Sequence, residues 1–239
     1  MVWSGPVVRD RCPVTDGERP EAGSTDRVST DDATTERVLT VIGDLVEDVV
    51  VWSTSPVVFG TDNPSTVVRT RGGSAANVAV RAASTVSTRF VGRVGDDAAG
   101  ARLVTDLRAA DVDVRVQRGG RTGTVVVVVH PDGERTMFND RGAAVDLEPV
   151  DPTWLASTAV LHVPAYGLDR EPARTAIVEA ADVVRAAGGV VAVDVSAASL
   201  VRSLGGDAFD ALLDRLGATY VLANEDEAAA LGWSDRRPP

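Results

Sequence analysis

Residues 71–100 read RGGSAANVAVRAASTVSTRFVGRVGDDAAG. Gly72-Gly73 opens a helix on bare backbone, where free N–H groups and the helix dipole favour oxygen-rich ligands. Ser74, Ala75 and Ala76 keep that end small, so a ligand can approach closely. Asn77, one turn in, offers a donor and an acceptor. The turn Val94-Gly95-Asp96-Asp97 then starts a second helix. Read without further context, the block is two helix starts in an α/β domain, with glycines serving packing.

The rest of the chain is consistent with one such domain. It has 239 residues, 44% of them hydrophobic and only 4% aromatic. Val and Ala dominate, which suits buried parallel strands and close-packed helices. Net charge is −11, which argues against nucleic acid or an anionic membrane as partner. All 24 basic residues are arginine, so lysine Schiff-base chemistry and a P-loop lysine are excluded within this chain. Cys12 is the only cysteine, which leaves no disulfide framework or zinc site. His130 and His162 lie too far apart to read as a ligand pair. No apolar run approaches the ~20 residues of a membrane span, and no secretory leader is visible. A reducing cytoplasm is the expected address.

Residues 1–36 carry no periodic apolar positions and read as a disordered acidic tail. The fold is expected over 37–232, with 233–239 as a C-terminal tail. Core strands are expected at Val38–Ile42, Arg89–Val94, Ala159–Val163, Val190–Val195 and Thr219–Leu222. Helices are expected at Ser74–Ala83, Ala98–Ala110, Glu171–Ala187, Asp207–Leu216 and Glu225–Leu231. Strands alternating with helices predict a doubly wound, mostly parallel sheet. Segments 48–52, 66–71 and 122–139 read as a small separate β element, the last a hairpin about Pro131-Asp132-Gly133. Val125 to Val129 shows no polar alternation, so both sides of that element want cover.

The block at 71–100 resembles the first signature of the ribokinase-like carbohydrate kinases, the PfkB family. There a Gly-Gly-x-x-x-Asn helix start holds the sugar and a Val-Gly-Asp-Asp turn follows. The resemblance implies a β lid over a site at the carboxyl ends of the core strands, where open α/β sheets bind ligands generally. It implies that Asp48, Gly72, Gly73 and Asn77 orient the sugar, with Asp44 and Glu47 as neighbouring carboxylates easily mistaken for Asp48. Arg141, in the return from lid to core, reaches the substrate or is a surface arginine. Asn224 and Glu227 match the family's Asn-x-x-Glu motif, which organises Mg²⁺ and phosphate. The same pair reads equally as an N-capped acidic helix start. Asp194-Val195-Ser196 resembles a degraded Asp-Pro-Asn and makes Asp194 a weaker candidate. ATP and Mg²⁺ are the implied co-substrate and cofactor, the partner a sugar or nucleoside, and the assembly a homodimer through the lid.

The family's second signature, roughly Asp-Thr-x-Gly-Ala-Gly-Asp, does not occur in this sequence. In the family it supplies the catalytic Asp and the anion hole, so no catalytic residue is assigned here. The resemblance therefore implies a fold whose C-terminal part is missing, and a chain inactive as given. The alternative is a non-catalytic sugar- or nucleoside-binding protein built on the kinase fold. The sequence does not choose among ribose, fructose, a sugar phosphate, a keto-deoxy acid and a nucleoside.

Overall fold

The computed structural model describes residues 7–10 and 37–233. In chain order its first elements are β1 Val7–Asp10, β2 Val38–Ile42, β3 Val46–Ser53, β4 Ser65–Gly72, α1 Ser74–Ala83, β5 Thr88–Val94 and α2 Ala98–Arg108. Next come β6 Asp113–Arg118, β7 Thr122–Val129, β8 Arg135–Gly142, β9 Thr158–Pro164 and α3 Ala173–Ala186. The described chain closes with β10 Val190–Asp194, α4 Ala198–Leu204, α5 Gly206–Leu216, β11 Ala218–Ala223 and α6 Glu225–Ala230.

Seven strands form the core sheet in the order β1-β11-β10-β9-β2-β5-β6. All neighbours pair in parallel except β1, which runs antiparallel on β11. Side chains alternate between two cores. Val41 and Phe90 pack with Ala75, Ala79 and Leu103 under α1 and α2. Ile42 and Val91 belong to the opposite cluster, with Leu161, Ile177, Val193 and Phe209 under α3 and α5. Period-two alternation between two helical layers is what doubly wound sheets require.

The expected architecture is present, with four differences. Val7–Asp10, inside the stretch expected to be disordered, pairs with Tyr220–Ala223; an edge strand's unpaired backbone groups template such an addition. The remaining residues of 1–36 lie outside the described residues, as do 234–239. Trp233, assigned to the C-terminal tail, is 7% exposed and packs in the α3/α5 core. β6 was not expected, because Asp113, Arg115 and Arg118 interrupt its apolar pattern. α4 was not expected either; its seven residues are too few to show a period.

A second sheet, β4-β3-β7-β8, stands off the core. It contains all three segments read as the small β element. Its register places Val46, Asp48, Val50 and Trp52 on one face, with Gly72, Thr70, Val68 and Thr66 beside them. Val125, Val127 and Val129 of β7, then Asn139, Met137 and Arg135 of β8, complete that face. Among the described residues no helix is long and apolar enough to cross a membrane.

Candidate functional site

The Gly43–Asp44 loop leaves β2 at its carboxyl end and meets the start of α1. Gly73 caps that helix without a side chain, at φ 97°. A Cβ there would collide with the Asp44 carbonyl, so glycine is required by space as well as by conformation. The Asp44 carbonyl accepts a hydrogen bond from Ala76 N–H at 3.3 Å, binding loop to helix. The small residues after Gly73 thus let a strand-end loop press against a helix N-terminus.

Three carboxylates lie in this stretch, and tertiary contacts separate them. Asp44 takes a bidentate ion pair from Arg141, Nε to Oδ2 at 2.6 Å and Nη2 to Oδ1 at 2.7 Å. Glu47, 4% exposed, accepts from Arg69 of β4 at 2.5 Å and from Arg102 of α2. Asp48 has no hydrogen-bond or ion-pair partner among the described residues. Its carboxylate lies directly over Gly72, where any Cβ would overlap Oδ1. Partial burial pushes its carboxyl upward, the expected response of an uncompensated acid. Asp48 and Gly72 are therefore brought together. Arg141 is committed to Asp44, with Asp169 a further 3.9 Å contact.

Asn77 sits one turn into α1 and is exposed. Its side chain bonds no described residue, and it borders a shallow groove with Arg81, Ser84 and Thr85. The Val-Gly-Asp-Asp turn has a fastening role. Asp97 accepts from Gly100 N–H at 2.8 Å, capping α2, and from Thr122 N–H at 2.8 Å and Thr122 Oγ1 at 2.6 Å. It ties the first residue of lid strand β7 to the core. Burial raises the Asp97 carboxyl, but the Thr122 and Gly100 bonds outweigh it and hold it below the usual range.

A second group of side chains lies at the carboxyl ends of β9, β10 and β11. Asn224 and Glu227 form a reciprocal capping box on α6. Both Glu227 oxygens accept from Asn224, Oε2 from the backbone N–H at 3.0 Å and Oε1 from Nδ2 at 2.9 Å. Glu227 is 5% exposed. Burial raises its carboxyl, and the charge of Asp194 adds to the rise. Asp194 Oδ1 accepts from Ser196 N–H at 3.2 Å. Ser196 itself adopts φ 68°, unusual for a non-glycine residue. Its hydroxyl accepts from Ala165 N–H at 3.1 Å, joining the ends of β9 and β10.

Tyr166 lies within electrostatic reach of both groups and was not singled out from the sequence. Burial raises its phenol, and the charges of Glu227 and Asp194 reinforce this, with Arg141 opposing. The available signal was one aromatic flanked by Ala165 and Gly167 at a core strand's end. His162 is mostly buried and its Nε2 has no partner; burial lowers its imidazole against the pull of Asp194. Among the described residues no three His, Cys, Asp or Glu side chains group as a metal cage.

Comparison with known proteins bears on the family and the fold. The family model described as pfkB family carbohydrate kinase matches residues 38–233. A fructokinase from Klebsiella pneumoniae is 34% identical over 202 residues, 82% of this chain and 62% of its own length. The chain thus spans less than two thirds of that relative. The adenosine kinase from Sinorhizobium meliloti superposes with a TM-score of 0.72 at 27% identity, covering 84% of this chain and 69% of that one. A fructokinase with bound ATP from Xylella fastidiosa has the same fold, with a TM-score of 0.60 at 21% identity over 83% of this chain and 68% of its own.

Proposed function

The chain belongs to the pfkB family of carbohydrate kinases, and we propose that its cleft binds the acceptor of an ATP-dependent sugar kinase. The full reaction moves the γ-phosphate of ATP to an acceptor hydroxyl. One observation carries the reading. Of Asp44, Glu47 and Asp48, only Asp48 lacks an arginine, and it lies on Gly72 beside the N-terminus of α1. A carboxylate so placed accepts from two neighbouring hydroxyls through strong charge-assisted bonds. Backbone N–H groups at the start of α1 offer donors to the same ligand.

At the far end, Glu227 and Asp194 are the residues suited to Mg²⁺. Each keeps free lone pairs after its bonds to Asn224 and Ser196, and Mg²⁺ takes one or two carboxylates while keeping waters. When bound, the ion shields phosphate charge. Asn224 orients Glu227, and Tyr166 lies within electrostatic reach of that acidic pair and of the Arg141–Asp44 ion pair. Arg141 acts by positioning Asp44 and not as a free substrate ligand.

The outer lid face exposes Val67 and Phe138, at 56% and 61%, which supports a homodimer through the lid. A cytoplasmic address belongs to the same reading. The second reading, a sugar- or nucleoside-binding protein without turnover, is favoured by the absence of an Asp-Thr-x-Gly-Ala-Gly-Asp run from the 239 residues. General-base and anion-hole contributions are each worth about 10²-fold or more in rate. We therefore expect this polypeptide to bind acceptor and to show no appreciable ADP release. Calorimetric titration with a sugar and nucleoside panel tests the site. Asp48→Ala should weaken the best ligand by ~2–3 kcal/mol, and unchanged affinity would remove Asp48 from it. A coupled ADP assay with Mg²⁺ tests turnover; robust turnover lost in Glu227→Gln would show the catalytic parts to be complete here.

A further inference from the structure

The lid sheet aligns four residues in one cross-strand row. Thr70 of β4 pairs with Asp48 of β3. Asp48 pairs with Val125 of β7, and Val125 with Asn139 of β8. Paired residues on neighbouring strands share a face, so Thr70, Asp48 and Asn139 project to one side. That side faces the cleft, because the Asp48 carboxylate lies over Gly72 and Arg141, two residues along β8 from Asn139, reaches down to Asp44. Neither the Thr70 nor the Asn139 side chain has a hydrogen-bond partner among the described residues, and both residues are exposed. The next row outward is Val68, Val50, Val127 and Met137. The cleft face thus carries one polar row beneath an apolar roof.

We propose that Thr70 and Asn139 select the acceptor, and that the site takes an uncharged polyhydroxyl compound in preference to a sugar phosphate or a sugar acid. This rests on the reading of Asp48 as an acceptor ligand. An anionic acceptor would meet the unpaired Asp48 carboxylate, and like charges brought together cost several kcal/mol. Among the described residues no cation is placed to offset that. Arg141 is consumed by Asp44. Arg135 shares the face but lies four residues along β8, roughly 13 Å away. Arg69 and Arg71 project from the opposite face, with Glu47. Arg170 and Arg174 are engaged by Asp169 and by the Leu168 and Asp169 carbonyls. Arg81 lies four residues beyond Asn77 on α1, ~6 Å further from its start. What remains on the Asp48 row is the Thr70 hydroxyl on the adjacent strand and the Asn139 carboxamide two strands across, roughly 10 Å away, with Val125 between them. Such groups fit the hydroxyls of an acceptor, and the valines fit a ring face.

The test is titration of the full chain with D-fructose, adenosine, fructose 6-phosphate and gluconate. A neutral probe should bind, with the phosphate and the acid at least about tenfold weaker. Thr70→Val and Asn139→Ala should each weaken the neutral probe by about 3- to 10-fold, the worth of one hydrogen bond, with the melting temperature unchanged. Asn139→Arg should move the ratio toward the anionic probes. The proposal is overturned if the wild-type chain binds fructose 6-phosphate or gluconate as tightly as the neutral probes. It is equally overturned if both Asn139→Arg, in a folded protein, and Thr70→Val leave the binding ratios unmoved. Wild-type binding by Asp48→Ala, or no binding of any probe, instead sinks the reading of the site itself, and this proposal with it.

Discussion

In β9 of the core, Leu161 and Val163 have no exposed surface, whereas in β8 of the lid every residue from Arg135 to Asp140 is exposed. Both sheets draw on valine, and the difference is what lies over them. Helices cover the core strands from both sides. The lid has the cleft on one face and solvent on the other. It is held at its base by polar ties instead: Arg141 on Asp44, Arg102 on Glu47, and Asp97 on Thr122. Packing stabilises the core, while a few directional bonds place the lid. The surface proposed to bind the acceptor sits on the part whose position depends on those bonds.

Substitutions at matched aromatics should break this comparison most sharply. Phe209 is fully buried beneath the core sheet and Phe138 stands on the outer lid face. Phe209→Ala should cost about 3–5 kcal/mol through lost transfer energy and a cavity. Phe138→Ala should leave chemical unfolding of the monomer within about 0.5 kcal/mol, while lowering the dimer fraction in sedimentation. Equal losses at both sites would mean that the lid is as packed as the core. A strictly monomeric wild-type protein at micromolar concentration would remove the dimer.

Next in size is the lid tie at Asp97. Asp97→Ala removes the cap of α2 and the anchor of Thr122, for about 1–2 kcal/mol. Its carboxyl is held low in the fold, so its stabilisation is present above the unfolded value of about 3.9 and lost as pH falls through the folded one. The wild-type advantage in urea titrations should therefore shrink in acid. An advantage that persists unchanged below pH 2 would sever Asp97 from the ionic account.

The smallest effect has the opposite sign. Asp48 is raised by burial without compensation. A raised carboxyl favours the fold below its unfolded value and costs stability once pH rises through the folded one. Asp48→Asn should melt slightly higher than wild type at pH 7 and should lose that gain in acid, even as acceptor binding weakens. A lower melting temperature at neutral pH would point to a structural role for this acid.

Much of the architecture was legible in the chain. Strands at Val38–Ile42 and Val190–Asp194 and the helix from Ser74 to Ala83 follow from local pattern, since burial on both faces demands continuous apolar runs. β6 escaped because an edge-side strand tolerates Asp113, Arg115 and Arg118, which erase the period. At the site, Gly72-Gly73 was readable because only glycine tolerates such close approach of backbone and carboxylate. The role of Arg141 was not, since its partner is 97 residues away.

The sequence alone therefore determined the alternation of strands and helices, the glycine start of α1, and the cluster of Asp44, Glu47 and Asp48. All of these depend on neighbours within a turn or two of the chain. Only the tertiary structure decided which of those three acids stays unpaired, because the arginines that take the other two arrive from β4, β8 and α2. It also decided that Thr70 lies beside Asp48 and that Asn139 lies two strands across the same face. Cross-strand register is set by pairing between distant segments, and a one-residue slip would send each side chain to the opposite face.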